Sequence, residues 1–401
     1  VDNVTHAFVG AAMAEYALPR VPPPRARLLF MGIGIVAANA PDVDVLYSSL
    51  IGDEPIGYLL HHRGHSHTVP GLAVLGGLIW AGLHVRASLR SALRDTHPRL
   101  WLLIAAALLS HLLMDAGNSY GTHLFYPFSS RWIYGDAVFV IEPWLWVLLG
   151  AALALNATTR AARVLVALLT LTLIGVLGAL GLLQARELGV VLGIGAAAAF
   201  RARTWERKSR AMAVLVATAA MFVLMSGVSR AAKGEAARAV DDRFDGELVD
   251  VVADANPGVP WCWAVLTVRK AADGLDALVA RRGTLSLVPG LWPAASCPSA
   301  RLSSRWSAEP ASSGSMVWHR QWRIDLEELR ALAAGSCRAR AWLQFGRVPY
   351  VADGVILDLR YENPLGQNFT PTALGVGGCP RLLTDWTWPR RDVLAAPVDH
   401  P

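Results

Sequence analysis

The chain has 401 residues, room for two or three domains at roughly 150 residues each. Hydrophobic residues make up 54% and charged residues only 17%, against about 25% charged in ordinary soluble domains; with a mean hydropathy of +0.37 this excludes disorder, a coiled coil and a small disulfide scaffold. The net charge of +6, from 37 Lys and Arg against 31 Asp and Glu, does not carry a nucleic-acid reading, because the arginines fall in short clusters between apolar runs, as topology signals do.

Taken in chain order, apolar segments over Val4–Leu18, Leu28–Ala40, Val69–Val85, Leu100–Met114, Val138–Leu155, Val164–Leu183, Leu188–Phe200 and Ala211–Val228 predict about eight helices. The clearest spans are Val164–Leu183 and Ala211–Val228, both uncharged. Val4–Leu18, Leu28–Ala40 and Leu188–Phe200 are shorter, as half-buried or tilted helices are. The first segment lacks the basic region and small-residue cleavage site of a signal peptide, so it is expected to be retained, with Val1 read as the product of an alternative start codon.

The loops between these segments differ in charge. One alternate set carries Arg20, Arg25 and Arg27, then Arg86, Arg90, Arg94 and Arg99, then Arg160 and Arg163, then Arg201, Arg203, Arg207, Lys208 and Arg210. The other carries Asp42, Asp44, Asp53 and Glu54 against Arg63, then Arg131 with Asp136, then Arg186 with Glu187. The positive-inside rule puts the Arg-rich set in the cytoplasm and both chain ends outside, in a multi-pass protein of the cell (inner) membrane.

The tail mixes β-leaning runs (Trp261–Val268, Ala341–Phe345, Val355–Tyr361) with turns rich in Pro, Gly and Ser, and one helix-like stretch at Asp325–Ala334. The expected organisation is a mainly α, polytopic helical bundle over 1–228 carrying the site, followed by a small extracytoplasmic β-rich or α+β domain over 229–401. Cys262, Cys297, Cys337 and Cys379 all lie in that tail without a CxxC pair. Two disulfides in an oxidising compartment are expected, in agreement with the charge rule, while the pairing stays open. The tail tryptophans are read mostly as core.

Nine of the eleven histidines precede residue 124. Ionisable groups at membrane depth are functional candidates by default. They are His6, Asp42 and Asp44 after Pro41, the run His61-His62-Arg63-Gly64-His65-Ser66-His67, His111 with Asp115, His123, and Glu142. The predicted topology brings all of these to the outer ends of their helices and leaves His84 and His97 on the opposite side. Imidazole and carboxylate suit zinc, with manganese or iron as alternatives. His111 and Asp115 stand four residues apart on one helical face. Asp42 and Asp44 alternate direction in an extended turn, so one is expected to ligate and the other to orient a histidine. The competing reading is interfacial His and Asp held by ordinary hydrogen bonds.

The series Asn3-x-Thr5-His6, Pro41-Asp42-x-Asp44, His62-Arg63-Gly64-x-Ser66-His67, His111-x3-Asp115 and Tyr120-Gly121-x5-Pro127-Phe128 resembles the membrane-bound metal-dependent hydrolase family named YdjM, closely over 1–145 and only in layout beyond. That family is distantly similar to the helical zinc phospholipase C and P1 nuclease group, phosphoesterases with two or three zinc ions held by His and Asp. The resemblance implies that His6, one of Asp42 and Asp44, His67, His111 and Asp115 hold the metals, with Asp115 bridging; with His62 of the histidine run, the candidate ligands are His6, Asp42, Asp44, His62, His67, His111 and Asp115. A later His-x3-Asp/Glu pair has no counterpart here, leaving His123 and Glu142, so two ions are expected rather than three. The N-terminal tryptophan ligand of the soluble enzymes is absent.

A zincin His-Glu-x-x-His, a Gly-x-Ser-x-Gly elbow, a P-loop and a dinucleotide fingerprint are all missing. The expectation is therefore an integral membrane metal-dependent hydrolase of phosphoester or lipid-type substrates. Arg63 is assigned to an anionic substrate, with anchoring of its helix at the headgroups as the equal alternative; Asp44 is assigned to the catalytic set, and membrane lipids are the expected partners. The alternatives are a metal-stabilised envelope protein and a metal-binding transporter; clustering of the polar groups at one end disfavours the latter.

Overall fold

The computed structural model describes residues 1–19, 22, 24–51, 55–85, 97–303, 313–363, 368–375 and 384–394. Helices α1 (Asn3–Ala17) and α2 (Pro24–Asn39) lead through a 3-10 turn (Ala40–Val43) into α3 (Asp44–Ile51) and α4 (Ile56–His61). Then come α5 (Val69–Val85), α6 (His97–Asp115), α7 (Pro143–Asn156), α8 (Arg160–Ala179), α9 (Ala185–Ala202) and α10 (Arg207–Asp241). Each of the eight apolar segments contains a helix, although α7 starts only at Pro143, after the Glu142 cap, and α8 ends at Ala179. Among the described residues, four helices are long and apolar enough to cross a membrane: Arg25–Ser48, Pro98–Asp115, Arg160–Ala179 and Arg207–Asp241. A fifth span is possible if Ile56–His67 and Val69–Val85, bent by 73° at their junction, act as one.

Two glycines set the first helix pair. A Cβ on Gly10 would fall 2.2 Å from the Gly34 carbonyl oxygen, and one on Gly34 would fall 2.4 Å from that of Gly10. Small residues at a crossing let helix backbones touch, and packing replaces the hydrophobic effect as the drive for association in lipid. At the far end of α1 the buried Glu15 is gripped by Arg27 and by Arg207, whose Nη1 also reaches Oε2 at 3.1 Å. Leu28, Leu102, Leu165, Val223 and Leu224 point outward, as lipid-facing side chains do.

Beyond α10, strands β1 (Leu248–Asn256), β2 (Val259–Lys270), β3 (Ala277–Ser286) and β4 (Met316–Asp325) form an antiparallel sheet in sequence order, with α11 (Pro298–Leu302) between β3 and β4. Helices α12 (Leu326–Gly335) and α13 (Cys337–Leu343) follow, then a small sheet of β5 (Pro349–Ala352), β6 (Val355–Asp358) and β7 (Thr372–Ala373), and a last short helix, α14 (Arg391–Leu394). One expectation fails here: Ala341–Phe345 is not a strand. Ser336 caps α13 by accepting from the Ala339 amide, and Trp342 and Leu343 bury their side chains from that helix. Propensity over five residues yields to a cap and an apolar face.

Trp263, Trp318, Trp342 and Trp386 are fully or almost fully buried, as core residues. Cys262 and Cys297 form a disulfide, and Cys337 is also disulfide-bonded; Cys379 lies outside the described residues. The tail is not an appendage. Ile56, Leu59 and Leu60 of α4 and Tyr120 and Trp132 of the loop after α6 share a core with Trp322, Trp342, Phe345 and Trp386. Arg347 holds Asp136 of that loop at 3.0 Å and Asp250 of β1 at 2.8 Å, while Lys233 of α10 also pairs with Asp136. Arg360 donates to the Ser119 carbonyl at 2.6 Å. A helix running unbroken through residue 228 accompanies these contacts, so the tail is seated on the loops that carry the histidines.

Candidate metal centre

Pro41 cannot continue α2, lacking an amide hydrogen and clashing with the preceding turn. The chain tightens into a 3-10 turn rather than the expected extended one, and at three residues per turn Asp42 and Asp44 point to different partners. Asp42 Oδ1 lies 3.4 Å from His67 Nε2 and 3.5 Å from His111 Nε2. Asn3 donates to its other oxygen at 2.6 Å.

Asp44 faces away from that centre and gathers donors. Its Oδ2 accepts from Ser66 Oγ at 2.6 Å and from the Arg63 amide at 2.9 Å, and lies 3.1 Å from His67 Nδ1. Its Oδ1 lies 3.0 Å from His62 Nδ1. These bonds fix the 62–67 turn, in which Arg63 takes a left-handed backbone at φ +58°. Such a conformation costs about 1–3 kcal/mol and persists only where the surroundings impose it. Gly71 lets the turn close on α5, since a Cβ there would meet the His65 carbonyl oxygen at 2.1 Å.

His111 and Asp115 sit one helical turn apart on α6, with His111 Nε2 3.7 Å from Asp115 Oδ2. The same oxygen lies 3.4 Å from His67 Nε2. Asp115 Oδ1 lies 3.2 Å from His6 Nε2 and also meets the Val1 nitrogen. The His6 ring stacks on His111 with centroids 3.8 Å apart.

The bonding assigns the tautomers. His111 Nδ1 lies 2.6 Å from the Ala38 carbonyl, which can only accept, so the hydrogen sits on Nδ1. His67 Nδ1 faces the Asp44 carboxylate in the same way. In neutral rings both Nε2 atoms then carry lone pairs, and they face each other at 3.0 Å beside two carboxylate oxygens. A hydrogen carried by one of the two rings, or a cation held by both, satisfies that pair. Two imidazole nitrogens and two carboxylates, with outer nitrogens tied to a carbonyl and a carboxylate, are the donor set and support of a zinc-type site. Asp42, His67, His111 and Asp115 offer ligand atoms all within 4.8 Å of one another, and Asp42, Asp44 and His62 form a second such group. The residues fit a divalent metal.

Arg63 is placed differently from expectation. It is buried, its Nε lies 2.9 Å from Asp115 Oδ2, and its Nη1 donates to Asn118 Oδ1 at 2.8 Å. Part of its guanidinium is therefore committed to a ligand carboxylate. His123 joins neither group: it is stacked on Trp386 at 3.7 Å and packed on Trp132, where burial pushes its pKa down to about 3. Glu142 caps α7, accepting from the Trp144 and Gly258 amides. His61 packs against Tyr47, and His65 against Tyr126 and Trp386. Asn3, Ser66 and Asn118 also serve the site, each through a hydrogen bond that spacing along the chain does not announce. Asn3 and Ser66 stand inside the motifs that pointed to the site, and that position was their signal.

The centre opens on a cavity of about 1090 Å³ whose wall includes Asp42, His62 and Arg63 on one side and Asn256, Arg282 and Arg360 of the tail on the other.

Comparison with known proteins reaches the N-terminal half of the chain. Over 158 residues the chain is 28% identical to the uncharacterized protein YfhP of Bacillus subtilis (strain 168), covering 39% of this chain. The match takes in 46% of that relative, so the chain spans about half the length of the curated relative it matches. No solved structure matches. Residues 1–186, which hold every one of the clustered histidines and aspartates, match the YdjM inner membrane protein family.

Proposed function

We propose that the protein is an integral membrane metal-dependent hydrolase, acting on phosphoester or lipid-type substrates at the outer face of the inner membrane. The observation that carries this is the pair of Nε2 atoms of His67 and His111, 3.0 Å apart beside Asp42 and Asp115, with Asp42 reaching the wall of a cavity large enough for a substrate. A metal that only staples a fold needs no such cavity. His6, Asp42, His67, His111 and Asp115 would hold a first ion, and Asp42 with His62 a second. Zinc fits the donors, and two ions fit the two groups that share Asp42.

A bound divalent ion would supply acidified water and a Lewis acid for the scissile group's oxygen. The chain's own residues do the rest. Asp44 keeps His67 and His62 in one tautomer, Asn3 fixes Asp42, and Arg63 balances the charge of Asp115. The tail roofs the cavity and limits its water. The outward side is supported by the alternation of Arg-rich loops and by the Cys262–Cys297 disulfide, a bond of oxidising compartments. About eight membrane helices, with the tail extracytoplasmic, follow from the same alternation.

The test is a hydrolysis screen of purified protein against phospholipids and phosphodiesters, with metal content measured in the same sample. Hydrolysis that is lost with the metal and restored by it is expected. Metal-loaded protein that hydrolyses none of them would leave a metal-stabilised envelope protein as the better reading.

A further inference from the structure

The two ends of the four-stranded sheet differ in character. Because its strands run antiparallel in sequence order, the β1–β2 turn and the β3–β4 connection lie at one end and the β2–β3 turn at the other. The β2–β3 end is charged, with Asp273 paired to Arg323 and Asp276 to Arg330. At the opposite end the chain leaves β3 through nine residues, 287–295 (Leu-Val-Pro-Gly-Leu-Trp-Pro-Ala-Ala), that hold no charged side chain. Val288, Pro289, Leu291, Pro293 and Ala295 are exposed, Leu291 to 86%. A contiguous apolar patch of this kind marks a surface that meets something other than water.

The loop is held in one shape. The Leu291 and Trp292 amides both donate to the Val288 carbonyl, at 3.0 and 2.9 Å, and the Leu287 amide donates to the Trp261 carbonyl at 2.9 Å. Trp292 packs edge-on against Trp261 at 5.3 Å, and both rest on Val259 and the Cys262–Cys297 disulfide. Leu291 therefore stands outside a packed and cross-linked base.

This end of the sheet is seated on the ends of apolar helices. A Cβ on Gly258, in the β1–β2 turn, would meet Pro143 of α7, Leu183, and Val191 of α9 at 3.1 to 3.4 Å. The Gly258 amide donates to Glu142 Oε1 at 3.2 Å, and Arg301 of α11 pairs with Glu187 of α9 at 3.3 Å. Arg186, in the first turn of α9, lies over the Trp292 ring, 3.2 Å from its centroid, with Glu187 at 3.9 Å. The membrane span Arg160–Ala179 ends immediately before this α9 turn, in the exposed Leu180. The loop thus stands beside the point where a span leaves the bilayer. Tryptophan at the headgroup level, a basic side chain reaching to water and aliphatic side chains beneath them are the composition of a membrane–water interface.

We infer that residues 287–295 insert into the leaflet at which α8 ends, with Val288 and Leu291 at the acyl boundary and Trp292 and Arg186 among the headgroups. The occupant of this surface is the phospholipid of the bilayer that the helices already span, and continuity with those spans selects it over a protein partner. Leu182, Pro257 and Pro298 of the same region line the cavity, so the loop fixes one wall of the cavity at the membrane surface. The inference needs the membrane spans but neither the metal nor hydrolysis.

The test is fluorescence quenching of the full, disulfide-bonded chain in phosphatidylcholine nanodiscs, with an environment-sensitive fluorophore on Leu291→Cys or, at the charged end of the sheet, on Leu275→Cys. Both side chains are exposed, so neither change disturbs packing. Val223→Cys, on the outward side of α10, calibrates the lipid quencher. A phosphatidylcholine with a nitroxide high on its acyl chain should quench the label at 291 about threefold or more strongly than at 275, as expected for a probe ~5–10 Å inside the interface against one in water. Iodide should show the reverse order. Equal iodide quenching at the two positions, with no effect of the lipid nitroxide at 291, would overturn the insertion. Shielding of 291 from both quenchers would show that protein, a second copy or another chain, covers the loop, and would overturn the lipid occupant. Nanodiscs expose both faces of the bilayer, so the result does not depend on which side the tail occupies.

Discussion

Arg63 Nε lies 2.9 Å from Asp115 Oδ2, the oxygen that also faces His67 and His111. The guanidinium therefore serves the ligand carboxylate before it serves any substrate. When the centre holds a divalent ion, Asp115 has two cations against it; without the ion, Arg63 carries the balance. Arg63→Ala should accordingly lower the melting temperature more in chelated protein than in metal-loaded protein. Leaving a buried charge unpaired costs about 3–5 kcal/mol. Hydrolysis should also fall by ~10²-fold, the scale of one lost electrostatic stabiliser, and Arg63→Lys should recover only part of it because an ammonium lacks the planar fork. Equal destabilisation with and without metal would contradict this role.

Asp44 and Asp42 differ by two positions in the chain and should differ in kind when changed. Asp44→Asn keeps one acceptor oxygen for four donors, so His67 and His62 lose orientation. Metal affinity is expected to drop about 10–100-fold with the fold retained, as for other residues that orient ligands. Asp42→Asn removes a ligand charge shared by both groups and should abolish tight binding. Calorimetric titration of zinc into apo-protein checks this, and identical affinities in the two variants would contradict the division of labour.

The Gly10–Gly34 contact holds α1, which carries His6 one turn earlier, against α2, which leads to Asp42. Gly10→Val must push the helices apart, since even a Cβ would lie 2.2 Å from a backbone oxygen. Reduced thermal stability and reduced metal content together are expected. Gly32→Val, where nothing lies within 4 Å of the added Cβ, should leave both unchanged. Metal analysis and thermal unfolding of the two variants decide it.

Much of the site was legible because its signals are local. The four-residue spacing of His111 and Asp115, and polar groups at the ends of apolar runs, can be read from a string of letters. Which of Asp42 and Asp44 ligates could not, because that depends on the 3-10 turn at Pro41 and on donors arriving from residues 62–67. Arg63 looked free for the same reason: Asp115 comes to it from another helix. His123 and Glu142 share the side and residue type of the ligands, and only packing separates them from the site. In the fold, apolar length marked the helices well. Glu15 with Arg27 and Arg207 and the tail's wall of the cavity rest on contacts between distant segments that no short pattern records, and the helix Cys337–Leu343 rests on a cap at Ser336 that outweighs the strand propensity after it.

Membrane sidedness can be read with two single cysteines. Thr204, in the Arg-rich loop after α9, and Ala272, in the turn after β2, are both exposed. An impermeant thiol reagent on intact cells should label Ala272→Cys and spare Thr204→Cys, each in the otherwise disulfide-bonded chain. The reverse pattern would put the tail and the cavity in the cytoplasm.

The most direct measurement is metal content per chain, by mass spectrometry of purified wild type, His111→Ala, Asp115→Ala and His84→Ala. His84 lies outside both ligand groups, its Nδ1 2.8 Å from the Trp80 carbonyl. About two transition-metal ions are expected in wild type and in His84→Ala, as two ligand groups sharing one carboxylate imply, with a sharp fall in the other two variants. Equal metal content in all four proteins, or none in any, would contradict the metal centre.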